Sequence, residues 1–395
     1  MLNETQKEAL FLLVQEFVRT PSLSGEEGAF AALLQKRMFE LGIETVKTDL
    51  FGNVIGEVRF SEDGPALLLE SHMDHVGASD VERWARYPYG GEIADGRIWG
   101  RGSMDNKGAL AAMLMSAHLA ASEPEGLKGR LYVAGSVHNE LMEGASSASI
   151  AEICDPDFVV VGEASDHLIM HGQRGRAEIL LETRGRSTLS AMPHQGINAV
   201  SKMIKLIGEL EKMRLPTHPE LGQAIMELTS ISSLPASGIN VVPDGCRVRF
   251  DRRFSVGETR ESILAWVREV IDKLAAKDGD FEAAVSLPVK EYRCYTGTTL
   301  KSDAFMPAWL FPRDHPLIAG ACAGMRLVGL EPRLSVYPFS SNGSYYAGVL
   351  GKPTIGFGPY AMSRAHMDNE YIAQDDLTDL CRGYCGIVRA LLGSQ

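Results

Sequence analysis

The sequence predicts an α/β protein in which a larger domain, built on a mostly parallel sheet flanked by helices, is interrupted by a smaller α+β domain. Buried apolar runs such as PALLLESHM, GRLYVAGSVH and DPDFVVVGEAS alternate with helical patterns such as GALAAMLMSAHLAA. That alternation is typical of parallel strands covered by helices on both faces. From about Arg176 the pattern changes to half-exposed strands, such as CRVRFDRRF and FEAAVSLPVKEY, and amphipathic helices, such as ESILAWVREVIDKLAAK. This change indicates a separate α+β unit.

The apolar α/β pattern resumes at HPLIAGACAGMRLVGL and KPTIGFGP. We therefore expect a discontinuous larger domain over residues 1–175 and 290–395, with the α+β domain inserted at 176–289. The segment MLNETQKEALFLLVQEFVRT is expected to form an amphipathic helix capped near Asn3 or Thr5.

The amino-acid composition indicates which classes of binding partner are not expected. The 395 residues include 39 basic and 51 acidic side chains, giving a formal net charge of −12. No block of like charges stands out, so nucleic acid and anionic membrane surfaces are not expected as partners. No apolar run reaches the roughly 18 residues that a membrane-spanning helix needs. Six cysteines without CxxC spacing, and no secretory leader, lead us to expect reduced thiols and a cytoplasmic location.

Five residues of metal-ligand type stand in separate segments of the chain. They are His72 in ESHMDHVG, Asp105 in GSMDNKG, Glu140 in HNELMEG, Glu163 in VVGEAS and His366 in SRAHMDNEY. Imidazoles and carboxylates together suit a pair of divalent cations. Two such cations can activate a water molecule and polarise a carbonyl oxygen. Asp74, two residues beyond His72, can accept the other ring N–H of that histidine. The pattern therefore indicates a two-metal enzyme.

Together these motifs resemble a family of zinc metallopeptidases and amidohydrolases that includes aminoacylases, acetylornithine deacetylase, succinyl-diaminopimelate desuccinylase and carboxypeptidase G. The resemblance covers nearly the whole chain and extends to GQRGR, a GxNA segment at Gly196 and GINVVPDGCRVRFDRR. It implies hydrolysis of the C–N amide bond of an N-acyl amino acid or a small peptide-like molecule. It also implies a homodimer formed through the inserted domain, and two bound cations: zinc, with cobalt or manganese as alternatives.

The resemblance assigns a role to each ligand. Asp105 resembles the bridging ligand of the two cations. His72 and Glu163 resemble the terminal ligands of one cation, and Glu140 and His366 those of the other.

Two positions depart from the family pattern. Asn139 stands where the family has a glutamate that acts as general base, and an amide cannot take up a proton near neutral pH. Leu189 stands where the family has a histidine that stabilises the oxyanion, and a leucine donates no hydrogen bond. His138 and Glu143 are the nearby candidates for a substitute base, and His194 is the candidate for a substitute donor.

Substrate recognition is predicted from two segments. Arg252 and Arg253 are neighbours on a strand and must point to opposite faces. By resemblance Arg253, with Asn240, is expected to bind a carboxylate of a small-molecule substrate. Ser341 and Gly343 in SSNGSYY are expected to supply small polar groups and backbone N–H donors.

Two further functions stay open beside amide hydrolysis. The chain could be a divergent two-metal enzyme that catalyses cyclisation, elimination or displacement at another C–N bond. It could instead be a catalytically silent homologue that binds metal without turnover. The substitutions at Asn139 and Leu189 could also have been introduced deliberately.

Overall fold

The computed structural model describes residues 2–235, 238–360 and 362–393. The chain forms two compact units. The larger comprises Met1–Gln173, Glu291–Lys301 and Trp309–Gln395, and the smaller comprises Arg174–Lys290 and Ser302–Ala308. No helix in the described ranges is long and apolar enough to cross a membrane.

The described ranges contain eight α-helices, numbered α1 to α8 in chain order. They are Glu4–Val18, Gly28–Glu40, Gly108–Ser122, Ser147–Cys154, Ala199–Leu210, Arg260–Ala275, Pro316–Leu327 and Gln374–Leu392. The first begins after Asn3, whose side chain accepts from the Gln6 backbone N–H while the Gln6 side chain accepts from the Asn3 backbone N–H. The cap predicted near Asn3 is confirmed.

The strands of the same ranges are numbered β1 to β23 in chain order. They are Thr45–Thr48, Val54–Arg59, Ala66–His72, Glu92–Ala94, Arg97–Trp99, Arg130–Ser136, Phe158–Val161, Ile169–Gln173, Gly175–Arg184, Thr188–Leu189, Thr217–His218, Gly222–Gln223, Ile225–Leu234, Val241–Val242, Gly245–Phe254, Glu282–Ser286, Val289–Arg293, Thr299–Asp303, Phe305–Met306, Trp309–Leu310, Leu334–Tyr337, Thr354–Gly356 and Tyr371–Ala373.

The larger unit is built on a mixed sheet in the order β1-β2-β6-β3-β7-β22-β8-β20, with β21 beside β8. Its central pairs, β6-β3, β3-β7 and β7-β22, are parallel, whereas β1-β2 and β2-β6 are antiparallel. The predicted α/β class is confirmed, with the parallel pairs at the centre of the sheet. The carboxyl ends of β3, β6 and β7 therefore lie at one edge, which is where open α/β sheets bind ligands.

Strand β3 begins with an uninterrupted apolar run, ALLL, and its packing explains this pattern. Leu67 and Leu69 pack into a core with α1, α3 and α8, whereas Leu68 packs on the other face, in a core with Ile150 of α4. Both faces of the strand are thus covered, and an alternating polar pattern would leave polar groups buried.

The smaller unit is an antiparallel sheet in the order β13-β15-β9-β16, with β19 beside β9. Its inward residues, such as Ile179 and Val248, pack against α5 and α6 in a core of their own. Its outward residues are charged, and Arg247 of β15 pairs with Glu182 of β9 at 2.7 Å. This one-sided burial explains the alternation in the sequence.

Helices α7 and α8 approach each other at a pair of glycines. A Cβ on Gly324 would clash with the backbone carbonyl of Gly386, and a Cβ on Gly386 would clash with the carbonyl of Gly324. In contrast, a Cβ on Gly208 of α5 would meet no atom of the described residues within 4 Å. The α7–α8 crossing therefore requires glycine at both positions.

We expect Gly324→Ala to lower the free energy of unfolding by about 1–3 kcal/mol, because the helices must separate. Gly208→Ala is the matched control and should raise it by about 0.5–1 kcal/mol, since alanine favours the helix. Urea denaturation measures both changes. Equal effects of the two substitutions would contradict the close packing of α7 on α8.

Candidate metal centre

All five predicted ligand side chains lie in the larger unit, at the ends of strands or in the loops that follow them. His72 ends β3, Asp105 lies three residues before α3, Glu140 lies in the loop after β6, Glu163 lies in the loop after β7, and His366 lies between β22 and β23. Four of the five side chains are at least nine-tenths buried, whereas that of His366 is 55% exposed. The fold therefore gathers residues that are far apart in the sequence.

The five side chains form two groups that share Asp105. Its Oδ1 lies 3.3 Å from His72 Nε2, which lies 3.7 Å from Glu163 Oε1. Its Oδ2 lies 3.4 Å from His366 Nε2, which lies 3.0 Å from Glu140 Oε2. One atom each from His72, Asp105 and Glu140 falls within a span of 4.8 Å. Asp105 thus directs one oxygen to each half of the cluster.

The electrostatics of this cluster favour bound cations. Burial raises the pKa of Glu163 to about 8, and the nearby charges of Asp105 and Glu140 add to that shift although His72 opposes it. Hydrogen bonds to Asp105 and then Glu140 raise the pKa of His366 to about 10. Glu140 Oε1 is buried and has no hydrogen-bond partner among the described residues. Closely spaced carboxylates with an unsatisfied oxygen are stabilised by divalent cations, so these residues fit the predicted pair.

Asp74 holds two of the segments that carry ligands. Its carboxylate accepts from the backbone N–H groups of Asn139 and Glu140, both at 3.1 Å, and from Ser24 Oγ at 2.6 Å. His72 Nδ1 lies 2.8 Å from the Asp74 backbone carbonyl and 3.4 Å from its carboxylate. Since a carbonyl only accepts, Nδ1 carries the hydrogen and Nε2 keeps its lone pair for a metal.

Glu370 holds the segment that carries Asp105, a role that the sequence analysis missed. This fully buried carboxylate accepts from the Arg101 guanidinium at 2.7 Å and from the backbone N–H groups of Gly102, Met104 and Asp105 at 3.1, 2.9 and 3.0 Å. The available signal was its position in AHMDNEY, four residues after His366. Local sequence does not identify its partners, because they lie more than 260 positions away.

Asn139 contacts the cluster directly. Its Nδ2 donates to Glu163 Oε1 at 3.1 Å, and its Oδ1 is buried without a hydrogen-bond partner in the described part of the chain. With Glu163 ionised, the reverse assignment of the amide would place two oxygens against each other. The residue at the family's general-base position is therefore a donor to a predicted metal ligand.

The two candidate substitute bases make other contacts. The His138 backbone N–H donates to Glu27 Oε1 at 3.1 Å, and the His138 ring stacks on Tyr292 with centroids 6.0 Å apart. Glu143 Oε1 accepts from Ser340 Oγ at 3.1 Å. A role for either residue in proton transfer stays a prediction.

Ser341 and Gly343 are buried in the larger unit. Ser341 Oγ donates to Gln173 Oε1 at 2.6 Å and accepts from the Gly343 backbone N–H at 3.2 Å. Between them, Asn342 Nδ2 donates to Glu70 Oε1 at 2.6 Å. The hydroxyl of Ser341 is thus engaged within the protein, and substrate binding by this segment stays a prediction.

The other predicted substrate residues lie in the smaller unit. Arg253 Nε donates to Asp251 Oδ1 at 2.6 Å, whereas Arg252 is buried on the opposite face and pairs with Glu258. Asn240 and His194 are exposed, and Leu189 is 52% exposed. The opposite directions of the two arginines follow from strand geometry.

His75, three residues beyond His72, is buried as a neutral ring. Its Nε2 accepts from the Ser22 backbone N–H at 3.0 Å, and its Nδ1 lies 2.9 Å from the Val76 carbonyl. Burial, and then the charge of Lys107, lower its pKa to about 4. Protonation of Nε2 would break the bond to Ser22.

We expect this histidine to make folding pH-dependent. In the unfolded chain a histidine has a pKa near 6.5 and binds a proton at about pH 5, whereas folded His75 does not. The contribution of His75 to the free energy of unfolding is therefore complete above about pH 6.5 and is lost as the pH falls towards 4. The variant His75→Gln keeps an acceptor for Ser22. Between about pH 7.5 and 5, its free energy of unfolding should fall by about 2 kcal/mol less than that of the parent protein. Urea denaturation at both pH values measures this, and equal losses would contradict it.

Comparison with known proteins shows a matching family and similar relatives. The sequence matches the family described as Peptidase family M20/M25/M40 over residues 68–390. It is 30% identical over 390 residues to the uncharacterized protein YgeY of Escherichia coli (strain K12), covering 97% of this chain and 94% of YgeY. It is 27% identical over 397 residues to succinyl-diaminopimelate desuccinylase of Thioalkalivibrio sulfidiphilus, covering 96% and 98%.

A solved structure shares the fold. Bacillus subtilis YXEP, described as a dinuclear metal binding peptidase from the M20 family, superposes with a TM-score of 0.74 at 14% identity, covering 99% of each chain.

Proposed function

We propose, because the chain belongs to Peptidase family M20/M25/M40, that it is a two-metal amidohydrolase acting on an N-acyl amino acid or a small peptide-like molecule. In this assignment His72 and Glu163 hold one cation, Glu140 and His366 hold the other, and Asp105 bridges them. The single observation that carries the proposal is the division of the Asp105 oxygens between two histidines. We propose zinc, with cobalt or manganese as alternatives.

When bound, the cations would lower the pKa of water and polarise the amide carbonyl. The residues of the protein would hold the metal ligands in position. Asp74 fixes His72 and the Asn139–Glu140 backbone, and Glu370 fixes the backbone at Asp105. Buried hydrogen bonds of this kind orient metal ligands and set their distances.

Proton transfer is the step for which this chain lacks the family's group. Asn139 cannot accept a proton near neutral pH, so turnover would need His138, Glu143 or an acceptor on the substrate. The Asn139–Glu163 hydrogen bond specifically favours a second candidate function, in which the centre binds metal and ligand with little turnover or catalyses a different reaction at a C–N bond.

The proposed substrate is a small molecule that carries a carboxylate, bound by Arg253, Asn240, Ser341, Gly343 and His194. Arg253 already donates two hydrogen bonds to Asp251. A substrate carboxylate would therefore have to share this guanidinium, which has five N–H donors. All six cysteines are free, which fits the cytoplasmic location that we expect.

We expect the metal-loaded chain to release amine slowly, or not at all, from a panel of N-acyl amino acids and dipeptides, and Asn139→Glu to be faster by about 10²- to 10⁴-fold. The added carboxylate can take up the proton that the amide cannot. Mass spectrometry of the products measures this, with metal content determined for each variant.

Asn139→Gln is the matched control, since it has the length of glutamate without the proton acceptor. Chelation should abolish all turnover. Two cations per chain together with no amine from any variant would refute amide hydrolysis and favour the second candidate function.

We also propose a homodimer formed through the smaller unit. Strand β13 pairs with β15 along one side, and the described residues provide no partner along the other. Ile225, Leu228 and Ile231 on this edge strand are 42%, 37% and 53% exposed. A long, unpaired edge that exposes apolar side chains favours pairing with another chain, and a second copy offers the same edge in the symmetric orientation.

We expect Ile231→Asp to shift the protein from dimer to monomer in sedimentation velocity, because a charge would be buried at the paired edge. Val289→Asp is the matched control, since Val289 lies on β17 and is 61% exposed. A monomeric parent protein, or equal effects of the two substitutions, would refute this interface.

A further inference from the structure

Asn139 is held by hydrogen bonds at its backbone and at one end of its side-chain amide. Nδ2 donates to Glu163 Oε1 at 3.1 Å, and the backbone N–H of Asn139 donates to Asp74 Oδ1 at 3.1 Å. The backbone and the amide are thus both held. With Glu163 ionised, as it would be on a bound cation, Oε1 can only accept, and turning the amide over would bring two oxygens together.

The other end, Asn139 Oδ1, is a buried acceptor without a partner among the residues that the structure describes, and the residue as a whole is only 6% exposed. An unsatisfied buried carbonyl is costly, and buried polar atoms are therefore nearly always paired in a functional state. A bound molecule that donates a hydrogen bond would satisfy this atom. A molecule with only acceptors or a methyl group there would not.

We propose that Asn139 recognises its ligand through Oδ1, and that the centre selects molecules with an N–H donor at the amide nitrogen. This inference rests on the proposed function, because it takes the ligand to be an amide bound at the cluster of His72, Asp105 and Glu163. Asn139 is then a specificity-determining residue. It replaces the family's proton acceptor with a hydrogen-bond acceptor whose orientation Glu163 fixes.

The test compares N-acetylglycine with N-acetylsarcosine, which differ by a methyl group in place of the amide hydrogen. Calorimetric titration of the zinc-loaded protein should show affinity about 5- to 100-fold higher for N-acetylglycine. Asn139→Leu, which is similar in size and has no acceptor, should abolish that preference. Asn139→Asp keeps an acceptor and should retain it.

Asn53→Leu is the matched control. Asn53 is a buried amide that accepts from the Val137 backbone N–H at 2.9 Å and donates to Asp49 Oδ2 at 2.6 Å, so it supports the neighbouring backbone without touching a predicted ligand. This variant should be less stable and yet keep the preference. Metal content is measured for each variant first, because losing the Glu163 contact could release a cation.

Three outcomes would overturn the inference, and they separate it from the proposed function. Equal affinity for the two probes in the parent protein, or a preference that persists in Asn139→Leu, refutes recognition by Asn139 and leaves amide hydrolysis standing. No binding of either probe by protein that carries two cations also refutes recognition by Asn139, and amide hydrolysis is then decided separately by the panel of N-acyl amino acids and dipeptides. Persistence of the preference in Asn53→Leu and Asn139→Asp, with its loss in Asn139→Leu, supports the inference.

Discussion

The candidate centre depends on bringing three carboxylates together against their mutual repulsion. Two further buried carboxylates make this possible, because each accepts hydrogen bonds from the backbone of a ligand-bearing segment. Asp74 holds the backbone at Asn139 and Glu140, and Glu370 holds it from Gly102 to Asp105. Backbone N–H groups stabilise these anions without adding mobile charged side chains. Bound cations would offset the remaining repulsion among Asp105, Glu140 and Glu163.

Elements with strong local patterns could be predicted from the sequence. Strands β3, β6 and β7 carry apolar runs without alternation because both faces of the sheet are covered, and helix α3 is buried over most of its length. Strand β13 was missed, since most of its residues are exposed and pairing with β15 accounts for its conformation. The segment FEAAVSLPVKEY was expected as one strand but forms β16 and β17, with Pro288 between them. Proline cannot donate to a ladder, so that break was readable in advance.

At the site, the sequence provided the ligand types and their order but not their supports. The HxD spacing placed Asp74 near His72, and the structure adds that the same carboxylate holds the loop of Glu140, 66 positions away. The position of Glu370 in AHMDNEY did not identify its partners. Its function follows from burial beside Arg101 and three backbone N–H groups, which only the folded chain brings together. Long-range contacts of this kind have no periodicity, and sequence patterns report only local geometry.

The side chain at position 139 affects proton transfer but does not determine how the backbone of Glu140 is held. The backbone N–H groups of Asn139 and Glu140 bind the same carboxylate, so the position of Glu140 is determined by Asp74 and not by the side chain before it. Exchanging an amide for a carboxylate at 139 therefore changes the chemistry available at Glu163 while the backbone that presents Glu140 stays anchored. A chain that keeps Asp74 and Glu370 can retain the complete ligand set even when its proton acceptor is absent. The five predicted ligands and Asn139 are thus physically compatible, and in our proposal the amide determines which molecules the centre binds.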